Sequence, residues 1–422
     1  MTVLLIVIFI LGYITIAMEQ PLRLNKAAPA MVTGVLCWVI YVLSVDQKDI
    51  ALDKLLHHTA EISSILFFLL GAMTIVELID SHDGFAVITH KIKTRSKVRL
   101  LWIISTLTFF LSAFLDNLTT AIVMTSLITK LLSNREDRLW FTGVIIIAAN
   151  AGGAFSPLGD VTTTMLWIGN QITAKKIITG LFIPSLFVYL VPLCLVSFRF
   201  RNQTLKEKNE TAISVNIREA NLILVLGILL LLFVPFFKMA THLPPFMGII
   251  LALGVLWIVV EAIHYNKPPA QKNKLSVSHA LEKIDTPSIL FFLGILLAVS
   301  ALQSIGLLKE LAVFFDKKLE NIYLIGTSLG VISSIVDNVP LVAAAQGMYD
   351  LQTYPTDHPF WEFLALSTGT GGSIIIIGSA AGVAAMGIEK IGFLWYLKKI
   401  SWLAIVGYIA GIIIFLIQHA IF

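Results

Sequence analysis

Residues 144–168 read VIIIAANAGGAFSPLGDVTTTMLWI, an apolar run cut by Gly152, Gly153, Pro157 and Gly159 and followed by a carboxylate, Asp160. Inside a bilayer, Gly and Pro can break a helix only where protein, water or an ion satisfies the freed backbone groups. The stretch therefore predicts a discontinuous helix at membrane depth. Residues 360–397 are interrupted in the same way, around Thr368-Gly369-Thr370-Gly371-Gly372-Ser373 and again at Gly378-Ser379. The whole 422-residue chain is 57% hydrophobic and 13% charged, with a mean hydropathy of +0.88. A soluble domain carries about 25% charged residues. The apolar runs are continuous and near or above the roughly 18 residues of a span, whereas barrel strands alternate. The expected class is an all-α polytopic membrane protein.

The net charge of +4 does not point to nucleic acid, because Lys and Arg cluster in loops between spans. Cys37 and Cys194 both lie in apolar runs, and no CxxC or HExxH spacing occurs, so neither a disulfide framework nor a metal site is expected. The opening MTVLLIVIFILGYITIAME has no basic residue before its apolar core and reads as a retained first span.

Spans are expected at about 3–18, 29–44, 61–79, 139–170, 177–198, 220–237, 245–263, 286–305, 360–397 and 400–420. Two further segments, 99–132 and 321–351, are apolar arms around Asp116-Asn117 and Asp337-Asn338. Each arm is about 15 residues, or about 23 Å of helix, short for a crossing. Both are read as re-entrant hairpins. With both termini outside, 22 of the 30 Lys and Arg fall in inside loops and 8 outside. Counting either hairpin as two crossings leaves that parity unchanged, so the bias supports the orientation alone.

The two halves match each other in order and spacing. SILFFL at 64–69 returns at 288–293, SAFLDN at 112–117 aligns with SSIVDN at 333–338, and Gly152, Gly153 and Gly159 align with Gly371, Gly372 and Gly378. Each half then has five crossings (one a broken helix) and one re-entrant hairpin. Five is odd, so the halves are expected as inverted repeats: 1–198, a cytoplasmic linker at 199–219, and 220–422. Inverted repeats with discontinuous helices place a transporter's site at their interface, near the midplane.

Asp116 and Asp337 lead the candidate residues, because an ionisable group deep in an apolar segment is costly and here occurs twice in equivalent places. Helix capping is the plainer role for both. Asn117 or Asn338 could cap alone, however, so a charged neighbour at each tip asks for a further reason. Asp160 has the same two readings; its counterpart in the second half is Ser379. The expected cation and proton site is Asp116, Asn117, Asp337, Asn338, Asp160, Thr119, Ser156, Thr370, Ser373 and Glu77, with Na⁺ at Asp116, Asn117, Asp337 and Asn338. Gly152, Gly153, Pro157, Gly159, Gly371, Gly372 and Gly378 are expected to unwind the backbone around it. Glu61 and Asp285, at matching starts of repeated spans, read as caps. His82-Asp83 is a possible pH sensor, although a loop His is usually only solvated.

SAFLDNLTTAIVM, ANAGGAFSPLGDVTTTMLW and SSIVDNVPLVAAA closely resemble the NhaD-type Na⁺/H⁺ antiporters of the ion transporter superfamily. The resemblance covers almost the whole chain. It implies a fold like that of the divalent-anion/Na⁺ symporters, with a scaffold and a transport domain, a homodimer and an elevator-like movement. The anion symporters have uncharged Ser-Asn-Thr tips. Here the tips carry Asp116 and Asp337, and the second lacks the Thr. Helix N-termini welcome anions, but a carboxylate at each tip reverses that local sign and favours cation/proton exchange.

The expected activity is alternating access in which Na⁺ (and Li⁺) competes with H⁺ for buried carboxylates, with no cofactor and no enzymatic step. Exchanging two protons per Na⁺ would move one charge, worth about 2.3 kcal/mol per 100 mV. The alternative is a Na⁺-coupled symporter of a small dicarboxylate or oxyanion. An intramembrane aspartyl protease is a distant rival, because residue 157 is Pro where its Gly-x-Gly-Asp motif begins with Gly. The expected partners are Na⁺, Li⁺, H⁺, membrane lipid and a second copy of the chain, in a bacterial inner membrane.

Overall fold

The computed structural model describes residues 2–22, 24–85, 94–205 and 217–421, so part of the expected linker, 206–216, lies outside the described residues. Among these the chain is helical, without a β-strand. The first half contains α1 (Thr2–Ala17), α2 (Ala27–Ser44), α3 (Lys48–Ser81), α4 (Lys97–Leu115), α5 (Asn117–Leu131), α6 (Arg135–Ala154), α7 (Val161–Ile168) and α8 (Ala174–Arg199). The second contains α9 (Ile217–Thr241), α10 (Pro245–Ile263), α11 (Thr286–Ser304), α12 (Leu307–Leu319), α13 (Ile322–Ile332), α14 (Asn338–Met348), α15 (Pro359–Gly371), α16 (Ala380–Glu389), α17 (Phe393–Lys399) and α18 (Ser401–Ile421). Eight helices among the described residues are long and apolar enough to cross a membrane, or nine if α16 and α17 form one bent span.

Three elements depart from the expected pattern. Helix α3 begins at Lys48 rather than near 61, and its 34 residues span about 51 Å, well beyond the ~30 Å hydrocarbon layer. Its polar first turns are good helix formers once they reach water. Glu61 therefore does not cap; it sits mid-helix and pairs with His57 and His58. Asp285 does cap, accepting from the Ser288 N–H at the start of α11. Second, α4 is 19 residues long, longer than the arm read from sequence, and long and apolar enough to cross a membrane. Third, the segment 360–397 has a second break. Lys390, at φ 49°, ends α16, and the chain turns through 114° into α17. Arg138 anchors that corner by donating to both oxygens of the buried Glu389, at 3.0 and 3.1 Å.

The helices pack in two groups. Helices α1, α2, α3, α9, α10 and α11 form one, with α2 laid along α11. The two helix pairs α4–α5 and α13–α14 form the other, together with α6, α7, α8, α15, α16 and α18. At the centre of the second group stand α6 and α15. Every residue from Trp140 to Ala154, and from Phe360 to Gly371, is buried. That all-round burial explains why their sequences show no polar face, and it encloses the polar Asn150 and Glu362 as well.

Glycine sets how closely the arms approach. A Cβ on Gly152 would lie 2.1 Å from the carbonyl oxygen of Phe109 in α4, and one on Gly371 would lie 2.1 Å from that of Gly330 in α13. Beside these contacts, the Ser112 hydroxyl donates to Ala149 O and the Ser333 hydroxyl to Thr368 O. Gly152, Gly153 and Gly371 remain within helices and Gly372 keeps an αR cap conformation, so they pack the arms instead of unwinding the backbone. Pro157, Gly159 and Gly378 do lie in the breaks. Gly152→Ala is expected to cost about 1–3 kcal/mol, since rigid backbone must move. Gly254→Ala, with nothing within 4 Å of the new Cβ, should be neutral or stabilising. Thermal unfolding of the two variants in detergent checks this; equal midpoints would refute it.

Candidate functional site

Four half-helices begin at one place. Asp116 caps α5, Asp160 caps α7, Asp337 caps α14 and Ser379 caps α16, each side chain accepting from a backbone N–H in the first turn it caps. The capping role foreseen for the Asp residues is thus real, and it fixes the carboxylates in orientation. Four helix N-termini bring partial positive charge to the spot. Three acidic caps answer it.

Asp160 holds the middle and is 2% exposed. Its Oδ1 accepts from the Thr162 N–H and hydroxyl, both at 2.9 Å. Its Oδ2 accepts from Asn117 Nδ2 at 2.7 Å and from Asn338 Nδ2 at 3.3 Å, so the Asn residues of both tips meet on one carboxylate. Asn117 Nδ2 also reaches Asn150 Oδ1 at 3.1 Å. Asn150 Nδ2 in turn donates to Ser373 and Ser379 at 2.8 and 2.9 Å, linking the two broken helices. All of these side chains are buried.

Asp116 and Asp337 do not converge in the same way. Asp116 accepts from the Thr119 N–H at 2.8 Å and its hydroxyl at 2.9 Å, and lines a small cavity of about 20 Å³ with Phe68, Met73, Val76 and Leu158. That is space for about one water molecule. Asp337 instead pairs with Lys26, 3.0 Å away, and among the described residues this is the one ammonium or guanidinium paired with the three acidic caps. Its exposure is 14%, so the pair sits in a medium where removing one partner strands a charge. Lys26→Met and Asp337→Asn are each expected to destabilise the protein, with a coupling of about 0.5–3 kcal/mol in the double mutant. Additive losses in a thermal-unfolding cycle would show that the pair is energetically idle.

The remaining expected residues divide. Ser373 and Thr119 belong to the network above. Ser156 is spent on structure: its hydroxyl donates to Ala113 O and accepts from the Leu158 N–H. Thr370 donates to Leu366 O within its own helix. Glu77 lies at the end of α3, held by Ser81 and Lys283, outside the cluster. The carbonyls freed at the first break are largely taken by Thr hydroxyls, Thr163 on Ser156 O and Thr164 on Pro157 O. Burial lowers the pKa of His82 below its usual value, which argues against a sensor poised near neutrality.

Asn150, Ser379 and Lys26 were not among the expected ligands. Asn150 carried a signal, being the one strongly polar residue in the apolar run before Ala151-Gly152-Gly153. Lys26 carried none, since it reads as an ordinary loop charge.

Residues 13–369 match the family model CitMHS, described as citrate transporter. The chain is 49% identical to sodium/proton antiporter 1 of Arabidopsis thaliana over 414 residues, covering 98% of this chain and 72% of that protein. It is 45% identical to sodium/proton antiporter 2 of the same plant, covering 98% of each. It is also 30% identical to the Na⁺/H⁺ antiporter NhaD of Alkalimonas amylolytica, covering 98% of this chain and 90% of that one.

Proposed function

We propose that this chain, which belongs to the citrate transporter (CitMHS) family, is an integral membrane antiporter exchanging Na⁺ for H⁺ at the Asp160 cluster. The observation that carries the reading is a buried carboxylate served by neutral donors alone. An ionised carboxyl in a dry site is costly unless it binds a proton or a cation. Asp160 can do either. With H⁺, it is neutral and keeps its Thr162 cap. With Na⁺, the Asn117, Asn150 and Asn338 amides can turn an oxygen inward, and Ser373 and Ser379 add hydroxyl oxygens. One site holding either ion, but not both, couples two opposing gradients when it is exposed alternately.

Asp116 is the second proton and cation group in this reading, beside its small cavity. Asp337 is the third, where an arriving Na⁺ competes with the Lys26 ammonium. The halves 1–198 and 220–422 are taken as inverted repeats and the hairpins as re-entrant, supported by the paired glycine and serine contacts in both halves. The helix group containing the cluster is the moving body; the group around α2 and α11 is the scaffold and carries the dimer contact. Li⁺ is a second substrate, being another small cation suited to oxygen ligands. The charge bias of the loops supports outside termini.

Citrate transport, which the family description names, is disfavoured by the three acidic caps at this site. Purified protein in liposomes with an acidic interior and a pH dye separates the two. Na⁺ or Li⁺ pulses without organic anion should release protons. No response to cations, with labelled citrate or succinate uptake requiring Na⁺, would overturn the antiporter reading.

A further inference from the structure

At the end of α3 remote from Lys48, two histidines and a carboxylate from three helices face one another. His82 is the C-cap of α3, His264 is the C-cap of α10, and Glu219 lies in the first turn of α9. The two imidazoles stack nearly parallel, 9° apart, with ring centroids separated by 5.1 Å. His82 Nε2 is 3.3 Å from His264 Nε2, which is 2.8 Å from Glu219 Oε1, and the third side of the triangle is 4.0 Å. Both histidines are buried, at 5% and 1% exposure.

The hydrogens of this triangle can be placed in two ways. His82 Nδ1 lies 2.6 Å from the Leu78 carbonyl, which can only accept, so Nδ1 carries the hydrogen and Nε2 of the neutral ring is a bare lone pair. If His264 Nε2 keeps its hydrogen for Glu219, the lone pair on Nδ1 is buried with no hydrogen-bond partner. If the hydrogen sits on Nδ1, that N–H is the orphan, and two bare Nε2 atoms and a carboxylate oxygen converge. His264 Nδ1 is unsatisfied in either state, and also with a metal on Nε2; what a cation relieves is the second state, in which two lone pairs and a carboxylate oxygen face one another.

We propose that His82, His264 and Glu219 form a binding site for a Zn²⁺-class transition-metal ion. Tetrahedral bonds of about 2.0–2.1 Å put neighbouring ligand atoms roughly 3.3 Å apart, the scale of the three separations here. The Leu78 carbonyl behind His82 is the outer-shell acceptor that orients a metal-bound imidazole. Imidazole nitrogens select Zn²⁺, Co²⁺ or Ni²⁺ over Na⁺, so this centre is chemically distinct from the transport cluster. The Lys267 ammonium, in close contact with Glu219, is the internal cation that the metal displaces. Binding clamps α3, α9 and α10, all members of the helix group that does not hold the Asp160 cluster.

The test uses tag-free, chelator-treated, full-length protein in detergent, titrated with Co²⁺ alone and followed by its visible ligand-field absorption. One saturable site per chain is expected, with Zn²⁺ displacing Co²⁺ and raising the thermal midpoint. His82→Ala and the double variant His82→Ala/His264→Ala should weaken binding by at least the ~10–100-fold lost when only an outer-shell partner is removed. No saturable binding, or unchanged binding in the double variant, overturns the proposal. If the variants do not fold, X-ray absorption of Zn²⁺-loaded wild-type protein decides. Two imidazole nitrogens in the coordination shell support the site; an oxygen-only shell overturns it. Neither readout depends on transport.

Discussion

Asp160→Asn is expected to reduce Na⁺-driven proton flux to the background of protein-free liposomes, a loss of at least ~100-fold, while the protein still folds. The two halves of that expectation have separate grounds. Asn is as good an N-cap as Asp, so the start of α7 keeps its bond to Thr162. The network around it can also adapt, because the Asn117 and Asn338 amides can each present oxygen in place of nitrogen. What Asn cannot do is take up and release a proton or offer a full negative charge to Na⁺. A hydrogen bond to a charged group is worth about 1.5–3 kcal/mol, and losing the alternation between H⁺ and Na⁺ removes the coupling altogether. The pH-dye assay, run beside size-exclusion and thermal-unfolding controls, measures it. Flux at the wild-type rate in a folded Asp160→Asn protein would remove Asp160 from the mechanism.

The second large effect is expected at Asp116. Asp116→Asn should also preserve its cap, yet abolish electrogenic exchange, because this carboxylate faces a cavity large enough for one water or one bare cation. Its position on the hairpin α4–α5 places it in the same helix group as Asp160. If two protons return for each Na⁺, Asp116 is the group that carries the second, and removing it leaves Asp160 unable to complete an electrogenic cycle. Potential-driven Na⁺ uptake in liposomes reads this directly. Wild-type uptake that still responds to an imposed potential after the substitution would assign the second proton elsewhere. A Lys26→Met background sharpens the comparison with Asp337, whose charge is already answered by an ammonium.

Much of this was legible in the chain. The apolar runs, the Gly and Pro interruptions, the paired Asp-Asn tips and the loop charges led to a helical membrane transporter without a coordinate. Those signals are local: a continuous apolar stretch must leave water, and a Gly-Pro break in it must be buried or wet. Errors arose where a local pattern had two physical outcomes. Glycines that could unwind a helix instead let two helices touch, since a missing Cβ serves both purposes. A polar patch at 48–60 that looked like a loop continued α3, because helix can extend into water beyond the hydrocarbon.

By itself, then, the sequence determined the class, most of the apolar segments and Asp160 among the buried carboxylates, while it passed over the fully buried Glu362. Tertiary structure decided which carboxylate is central. Asp116 and Asp337 are equivalent by alignment, yet one faces a small cavity and the other meets Lys26, 311 residues away along the chain. Asp160, whose aligned partner is only a serine, became the point where Asn117 and Asn338 converge. Likewise His82, Glu219 and His264 are unremarkable singly and form a triangle only when α3, α9 and α10 pack. The physical reason is common to all three: affinity for an ion depends on several donors within about 3 Å of one point, and separation along the chain says nothing about that.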